Sequence, residues 1–294
     1  MRMRLDRWLT TLGICSRSEG KEWIRSGAVR VNGTAARDPA QTVETERDTL
    51  QIRDRTVDGR ILRHVMLHKP AGVLTAARDR KQPTVMDLLP PEYASMGCMP
   101  VGRLDRDTTG ILILTCDGTL NHRLLAPGRH VDKVYLARVT GKLTEEDVRA
   151  FARGLELSDF TALPAKLEIQ EEGKGLEQPV LSGLSKEPEN GFPARPAFPE
   201  KEMESGRSGR PELPDAAEGT SLARVTVQEG KYHQVKRMFA ATGHEVLTLH
   251  RRSFGPLTLD PALPEGGWRE LKPEELEALY AAAGMEPGDE DREG

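Results

Sequence analysis

The chain has 294 residues, 37% hydrophobic and 30% charged, enough for one large folded domain or two smaller ones and too polar for a bundle of membrane-spanning helices. Its formal net charge of −4 argues against a nucleic-acid binder only if the charge is evenly spread, and it is not. Residues 2–37 hold eight basic and three acidic side chains, whereas residues 170–220 hold six and eleven and residues 286–294 carry −4, so the chain outside those two acidic segments is basic by +5. That asymmetry points to a basic binding surface with acidic appendages. The three cysteines, Cys15, Cys98 and Cys116, have neither metal-ligand spacing nor even pairing, as expected in a reducing compartment. The opening Met1-Arg2-Met3-Arg4-Leu5-Asp6-Arg7 lacks the apolar core of a signal peptide, and a cytoplasmic location is expected.

Leu5, Trp8, Leu9 and Leu12 recur at helical spacing, and Gly13 can end that helix. Ser16-Arg17-Ser18-Glu19 reads as a capping box opening a second helix that carries Arg17, Lys21 and Arg25 and stops at Gly27. Val29-Arg30-Val31 alternates like a strand, and Asn32-Gly33 is a hairpin signal. A solvated charged face would explain the cations alone. The order of elements, with Ser16-Arg17-Ser18-Glu19 and Gly27-Ala28-Val29-Arg30-Val31-Asn32-Gly33, resembles the S4 RNA-binding domain, which implies that residues 1–60 form such a module.

Asp54 to Arg63 is polar and reads as a linker. Val65 to Lys69 then forms a strand running into a Pro/Gly turn, and Pro83-Thr84-Val85-Met86-Asp87-Leu88-Leu89 starts a short helix. Glu145 to Leu155 is helical by pattern. Between the strands Lys166–Ile169 and Ala223–Val227 lies Glu171 to Thr220, with seven glycines, seven prolines and many glutamates. Such a segment buries too little apolar surface to offset its ordering entropy and is expected to be a loosely ordered insertion, as is the acidic tail after Gly284.

The densest signal is Gly102-Arg103-Leu104-Asp105-Arg106-Asp107-Thr108-Thr109-Gly110, ahead of the apolar run Ile111-Leu112-Ile113-Leu114-Thr115. In an extended chain Arg103 and Asp105 project from one face, so a guanidinium and a carboxylate can meet one ligand. Gly102 and Gly110 permit tight turns at its edges. Three further strings follow: Lys133-Val134-Tyr135-Leu136-Ala137-Arg138-Val139, with Lys133 and Tyr135 on one face; Glu229-Gly230-Lys231-Tyr232-His233-Gln234-Val235-Lys236-Arg237-Met238-Phe239, a turn into a basic helix; and Leu249-His250-Arg251-Arg252-Ser253-Phe254-Gly255-Pro256-Leu257. Each alone has a structural explanation: a tyrosine-bearing strand, a cationic surface helix, a Gly-Pro turn.

In this order the strings resemble the motifs of pseudouridine synthases of the RsuA type, which act on small-subunit ribosomal RNA. The resemblance implies an α+β fold. The S4-like helix-helix-hairpin domain is followed by a catalytic domain over residues 61–284, built on a mixed, mostly antiparallel sheet flanked by helices, with the insertion at 171–220 and a tail at 285–294. By position it implies that Asp105 is the catalytic aspartate, Tyr135 the active-site tyrosine and Lys236 the basic partner of the aspartate, with the adjoining Arg237 as the alternative. Arg103 matches the arginine associated with the flipped-out nucleotide.

The chemistry agrees with those residue types. Uridine becomes pseudouridine when the N1–C1′ bond breaks, the base turns and a C5–C1′ bond forms, which requires neither cofactor nor metal. A carboxylate near the sugar can serve as nucleophile at C1′ or as base at C2′. Lys236 as a neighbouring cation would favour its charged form, and Tyr135 offers a ring for the base and a hydroxyl for proton removal from C5. Arg103 suits the vacated stack, because a guanidinium can stack on bases and grip phosphate. Arg17, Lys21, Arg25, Lys133, Lys231, Arg237, Arg251 and Arg252 are candidates for contact with RNA and its phosphates. The expected partner is small-subunit ribosomal RNA or its assembly intermediate, met by a monomer away from any membrane. A synthase for large-subunit RNA shares these motifs. A non-catalytic RNA-binding assembly factor is the reading from another class, and the joint presence of Asp105, Tyr135 and Lys236 argues against it.

Overall fold

A computed structural model describes residues 1–170 and 219–286. The N-terminal module contains strand β1 (Arg2–Arg4) and helices α1 (Leu5–Thr11) and α2 (Arg17–Ser26), followed by strands β2 (Val29–Val31), β3 (Thr34–Ala35), β4 (Thr42–Glu44), β5 (Leu50–Ile52) and β6 (Arg55–Val57). The capping box forms as the sequence predicts: the Glu19 amide donates to Ser16 Oγ, and the Glu19 carboxylate accepts from the Ser16 amide at 2.8 Å. Leu5, Trp8, Leu9 and Ile24 pack on Val29, Val43 and Leu50 as one apolar cluster. Asn32 and Gly33 both take positive φ, 53° and 77°, the geometry of a tight two-residue hairpin. The expected linker is shorter than its polarity suggests, because Arg55–Val57 pairs with Leu50–Ile52.

The rest of the chain is organised around one sheet. Its strands are β7 (His64–Lys69), β8 (Met99–Pro100), β9 (Thr109–Thr115), β10 (Lys133–Thr140), β13 (Lys166–Gln170), β14 (Thr220–Val227), β15 (Val246–Phe254), β16 (Leu257–Thr258) and β17 (Trp268–Glu270); β11 (Leu155–Glu156) and β12 (Thr161–Ala162) pair separately. The order is β13-β14-β10-β15-β9-β7-β17, with β8 beside β9 and β16 beside β15. Only β15 and β9 run parallel; the other pairs are antiparallel, which gives the mixed, mostly antiparallel sheet.

Alternation along β7 and β9 sends Val65, Leu67, Leu112 and Leu114 into one core and Met66, Ile111 and Ile113 into the other. Helices α5 (Glu145–Arg153) and α6 (Gln234–Ala241) cover the first face through Phe151, Val235, Met238 and Phe239. Helices α4 (Gly118–Leu125) and α7 (Pro273–Ala282) cover the second through Leu120, Leu124, Leu279 and Tyr280. A sheet covered on both faces explains why β9 is an unbroken apolar run. No helix among the described residues is long and apolar enough to cross a membrane.

Several expectations are corrected. The predicted helix after Pro83 is a 3-10 turn over Val85–Leu88, capped by Thr84, whose amide and hydroxyl both donate to Asp87. The strand after the insertion begins at Thr220 rather than Ala223. The insertion itself, from 171 to 218, lies outside the described residues, as does the tail from 287. Met285, assigned to that tail, is buried in the second core, and its amide donates to the Tyr280 carbonyl at 2.9 Å. Cys98 and Cys116 form a disulfide, against the expectation of no pairing, and Cys15 is the free thiol. The reason is register: Met99 lies opposite Thr115 in the β8–β9 pair, so the next residue on each strand also faces its counterpart.

The N-terminal module is tied to the sheet domain at the segment joining them. Trp8 Nε1 donates to the Gly59 carbonyl at 2.6 Å, and Glu270 on β17 accepts from Arg63 at 2.6 Å and from the Tyr93 hydroxyl, on α3 (Pro91–Ser95), at 3.2 Å.

Candidate active site

The loop 101–108 delivers Asp105 to the head of β9, in the middle of the sheet. Val101 and Leu104 are buried and anchor it, while Arg103, Arg106 and Asp107 point to solvent and the Asp105 side chain is 27% exposed. The Thr108 amide donates to the Asp105 carbonyl at 3.2 Å and closes a turn around the carboxylate. Gly110 then lets β9 run against β15. It sits at φ 109°, and a Cβ there would lie 2.2 Å from the Arg251 carbonyl oxygen, so any other residue would push the two central strands apart.

The loop is held from below and from the side. Lys69, fully buried at the end of β7, donates from Nζ to the carbonyls of Pro70 (2.9 Å), Arg106 (3.3 Å) and Thr108 (3.0 Å). Burial pushes its ammonium down to about 8, against the pull of Asp107 and Asp105. The Thr75 hydroxyl donates to the Leu104 carbonyl at 2.8 Å and accepts from the Leu104 amide at 3.2 Å, clamping the residue just before Asp105. Gly72 and Arg106 exchange two further bonds, of 2.8 and 3.2 Å.

Two side chains from the turn into α6 reach the carboxylate. His233 Nε2 is 3.4 Å from Asp105 Oδ1, and Lys236 Nζ is 3.5 Å from Asp105 Oδ2. Lys236 also binds both oxygens of Asp107, at 2.6 and 2.8 Å. Burial opposes ionisation of Asp107, and the Lys236 ammonium outweighs it, holding that carboxyl below its ordinary range. Arg237, the alternative partner of Asp105, turns the other way: it pairs with Asp159, donates to Ser158 Oγ at 2.9 Å and lies 4.9 Å from the Phe160 ring centre.

Tyr135 is 8% exposed on β10, opposite Arg251 of β15, and shares the apolar cluster of Leu104. Arg103 is exposed and has no hydrogen bond or ion pair among the described residues. Arg17 and Arg25 are exposed and Lys21 is half-buried on the outer face of α2. Lys231 pairs with Glu229 at 2.9 Å, with its ammonium 4.1 Å from the Phe160 ring centre, and Arg252 is half-buried.

Two predicted phosphate contacts are corrected. Lys133 is buried, donating to the carbonyls of Val131 (2.7 Å) and Gln228 (2.9 Å), and burial, then the nearby Arg251, push its ammonium down to about 8. Arg251 is 2% exposed and donates from Nε to the Ile111 carbonyl at 2.8 Å. Both lie on central strands whose partners turn them inward, so neither is a surface for phosphate.

His233, Asp107, Lys69 and Thr75 had no assigned role in the sequence reading. His233 and Asp107 lie inside the quoted strings. His233 meets Asp105 and Asp107 meets Lys236 only when the fold brings together chain segments more than a hundred residues apart, and no local pattern reports it.

The molecule is thus of the class that sets an RNA-binding module before an enzyme domain, since residues 3–49 match the S4 domain. Residues 63–241 match the RNA pseudouridylate synthase family, and the chain belongs to that family: it is a pseudouridine synthase, an isomerase that acts on RNA. It is 35% identical to the ribosomal small subunit pseudouridine synthase A of Pseudomonas aeruginosa, over 93% of this chain and 99% of that protein. It is 31% identical to the ribosomal large subunit pseudouridine synthase B of Bacillus subtilis, over 95% and 96%. A crystal structure of a pseudouridylate synthase superposes with a TM-score of 0.55 at 30% identity, covering 94% of this chain and 99% of that one.

Proposed function

We propose that the chain isomerises one uridine of small-subunit ribosomal RNA, with Asp105 as the catalytic carboxylate. The observation that carries the catalytic part is the position of Asp105: a partly exposed carboxylate on a loop clamped by Lys69 and Thr75, met by His233 and Lys236. Groups fixed this way supply charge and orientation without reorganising during the reaction. Asp105 attacks C1′ or removes a proton at C2′, the N1–C1′ bond breaks, and the turned base joins C1′ through C5. The C5 proton is then lost, assisted by the Tyr135 hydroxyl, and N1 gains one, so product and substrate have the same atoms. Arg103, exposed and unpartnered among the described residues, fills the place of the flipped-out uridine.

The small-subunit assignment is supported by the string Lys231 to Ala241 and by the relative of that name. The large-subunit relative supports the second reading. Mapping pseudouridine across ribosomal RNA with and without the gene separates them. Loss of one site in the small-subunit RNA is the expected result, and loss confined to large-subunit RNA overturns the assignment.

A further inference from the structure

Among the described residues Tyr232 is the most exposed of the large apolar side chains that lie open, at 72%, and it is not on a loose loop. The turn that presents it is fastened on both sides. The Lys231 amide donates to Gln234 Oε1 at 3.1 Å, the Gln234 amide returns to the Lys231 carbonyl at 3.1 Å, and Gln234 Nε2 donates to Glu229 at 2.9 Å. Gln234 is itself buried. His233 is held at φ 49°, in the left-handed region that side-chain-bearing residues rarely adopt, and this sets its ring under that of Tyr232. The two rings stack with centres 3.9 Å apart and planes 16° from parallel. The other edge of His233 meets Asp105 at 3.4 Å. An aromatic plane, one face covered and the rest open, therefore stands one residue from the catalytic carboxylate.

The surrounding charges say what this plane is suited to bind. The neighbouring cations are each committed to a carboxylate: Lys231 to Glu229, Lys236 to Asp107 and Arg237 to Asp159. Phosphate would have to displace those partners, whereas the face of a base would not. Stacking also tolerates any base, because every base has a π-face.

We propose that Tyr232 is a stacking platform for the nucleotide adjacent to the target uridine, holding the RNA strand as the uridine enters the site. The proposal rests on the chain's action on RNA and on Asp105 as the centre of the site; it is independent of which ribosomal subunit supplies the RNA. Removing the ring should weaken RNA capture and leave chemistry on bound RNA intact.

The test uses the full chain and total RNA from a strain lacking it, labelled with tritium at C5 of uridine, with tritium release followed in single turnover. Tyr232→Ala and Tyr232→Leu should raise the enzyme concentration for half-saturation about tenfold or more, with the saturating rate within about threefold of wild type, while Tyr232→Phe behaves as wild type. Tyr232→Trp should also show indole fluorescence quenched on adding RNA, relative to the wild-type chain, a signature of stacking that a merely structural ring would not give. Unchanged half-saturation in the Ala and Leu variants overturns the proposal. So does a loss confined to the saturating rate, which would make Tyr232 a positioning residue for His233. Failure of the Asp105 reading would instead appear as undiminished tritium release by Asp105→Asn, and failure of the small-subunit reading as release from large-subunit RNA only. Melting temperatures of all variants should match wild type, because the ring buries little surface.

Discussion

Lys236 is shared unequally between two carboxylates: its ammonium lies 2.6 and 2.8 Å from the oxygens of Asp107 but 3.5 Å from the nearer oxygen of Asp105. The closer partner is the more exposed one, at 73% against 27%, and exposed ion pairs contribute little. Asp107→Asn should therefore change the saturating rate by no more than about threefold, since Lys236 keeps Asp105 as a partner. Lys236→Met leaves two neighbouring carboxylates without their cation and should cost about a hundredfold in that rate. Single-turnover conversion by the two variants checks the pair. Equal losses would mean that Asp107, not Asp105, is the carboxylate Lys236 serves.

Asp105→Asn should abolish isomerisation while RNA affinity stays within about twofold of wild type. The amide keeps the size of the side chain and its contacts to His233 but removes the negative charge from the centre of the site. The measurement is tritium release beside a binding titration on the same RNA. Conversion at the wild-type rate would remove Asp105 from the catalytic role.

Lys69 makes stability depend on alkaline pH in a definite direction. Its folded value of about 8 lies below the ordinary 10.5, so between them the unfolded chain binds more protons than the folded one. Stability accordingly rises with pH across that window. Lys133, also near 8, adds to the rise. Lys69→Met should make it smaller and leave the Lys133 part. The variant should also be less stable throughout, by about 2 kcal/mol or more, because two carbonyls of the Asp105 loop, Arg106 and Thr108, and the Pro70 carbonyl lose their donor. Urea midpoints at pH 8 and pH 10 give both quantities, and a rise equal to wild type would show that Lys69 does not titrate there.

The parts legible in the sequence are those that local physics decides. The stripe of Leu5, Trp8 and Leu9, the capping box at Ser16 and Glu19, and the Asn32-Gly33 hairpin are each set by neighbours a few residues away. Buried cations were not legible: Lys133 and Arg251 read as surface charges, but Lys133 reaches the carbonyl of Gln228, just past β14, and Arg251 that of Ile111 on β9, both remote in sequence. The disulfide escaped for a related reason, since β8 is two residues long and its register against β9 is a tertiary fact. At the site, motif resemblance pointed to Asp105 and Lys236, but the division of Lys236 between Asp105 and Asp107 required the fold.

Removing residues 171–218 and closing the gap with a short turn should leave folding and isomerisation largely intact. The flanking strands β13 and β14 are antiparallel neighbours, with Gln170 opposite Leu222, so a hairpin turn can join them. Thr220 pairs with Thr140 and must be kept. Closing a shorter loop costs less entropy, and the change is small. A thermal melt and a single-turnover assay of the shortened chain provide the check; cooperative unfolding lost, or conversion lost, would assign the segment a structural role.

Neutralising Arg17, Lys21 and Arg25 together should weaken RNA binding and flatten its salt dependence, with the saturating rate unchanged. The three recur at four-residue spacing on one face of α2, and none forms a side-chain hydrogen bond or ion pair among the described residues, so their charges are available to one stretch of phosphates. Three lost phosphate contacts should lower the slope of log K against log salt by about 2 to 3. Folding should be spared, because the α2 cap at Ser16 and the buried Ile24 are untouched. Binding titrations at two salt concentrations, beside single-turnover conversion at saturating enzyme, separate docking from chemistry. A lower saturating rate with unchanged affinity and slope would contradict docking and assign this face to the catalytic step instead.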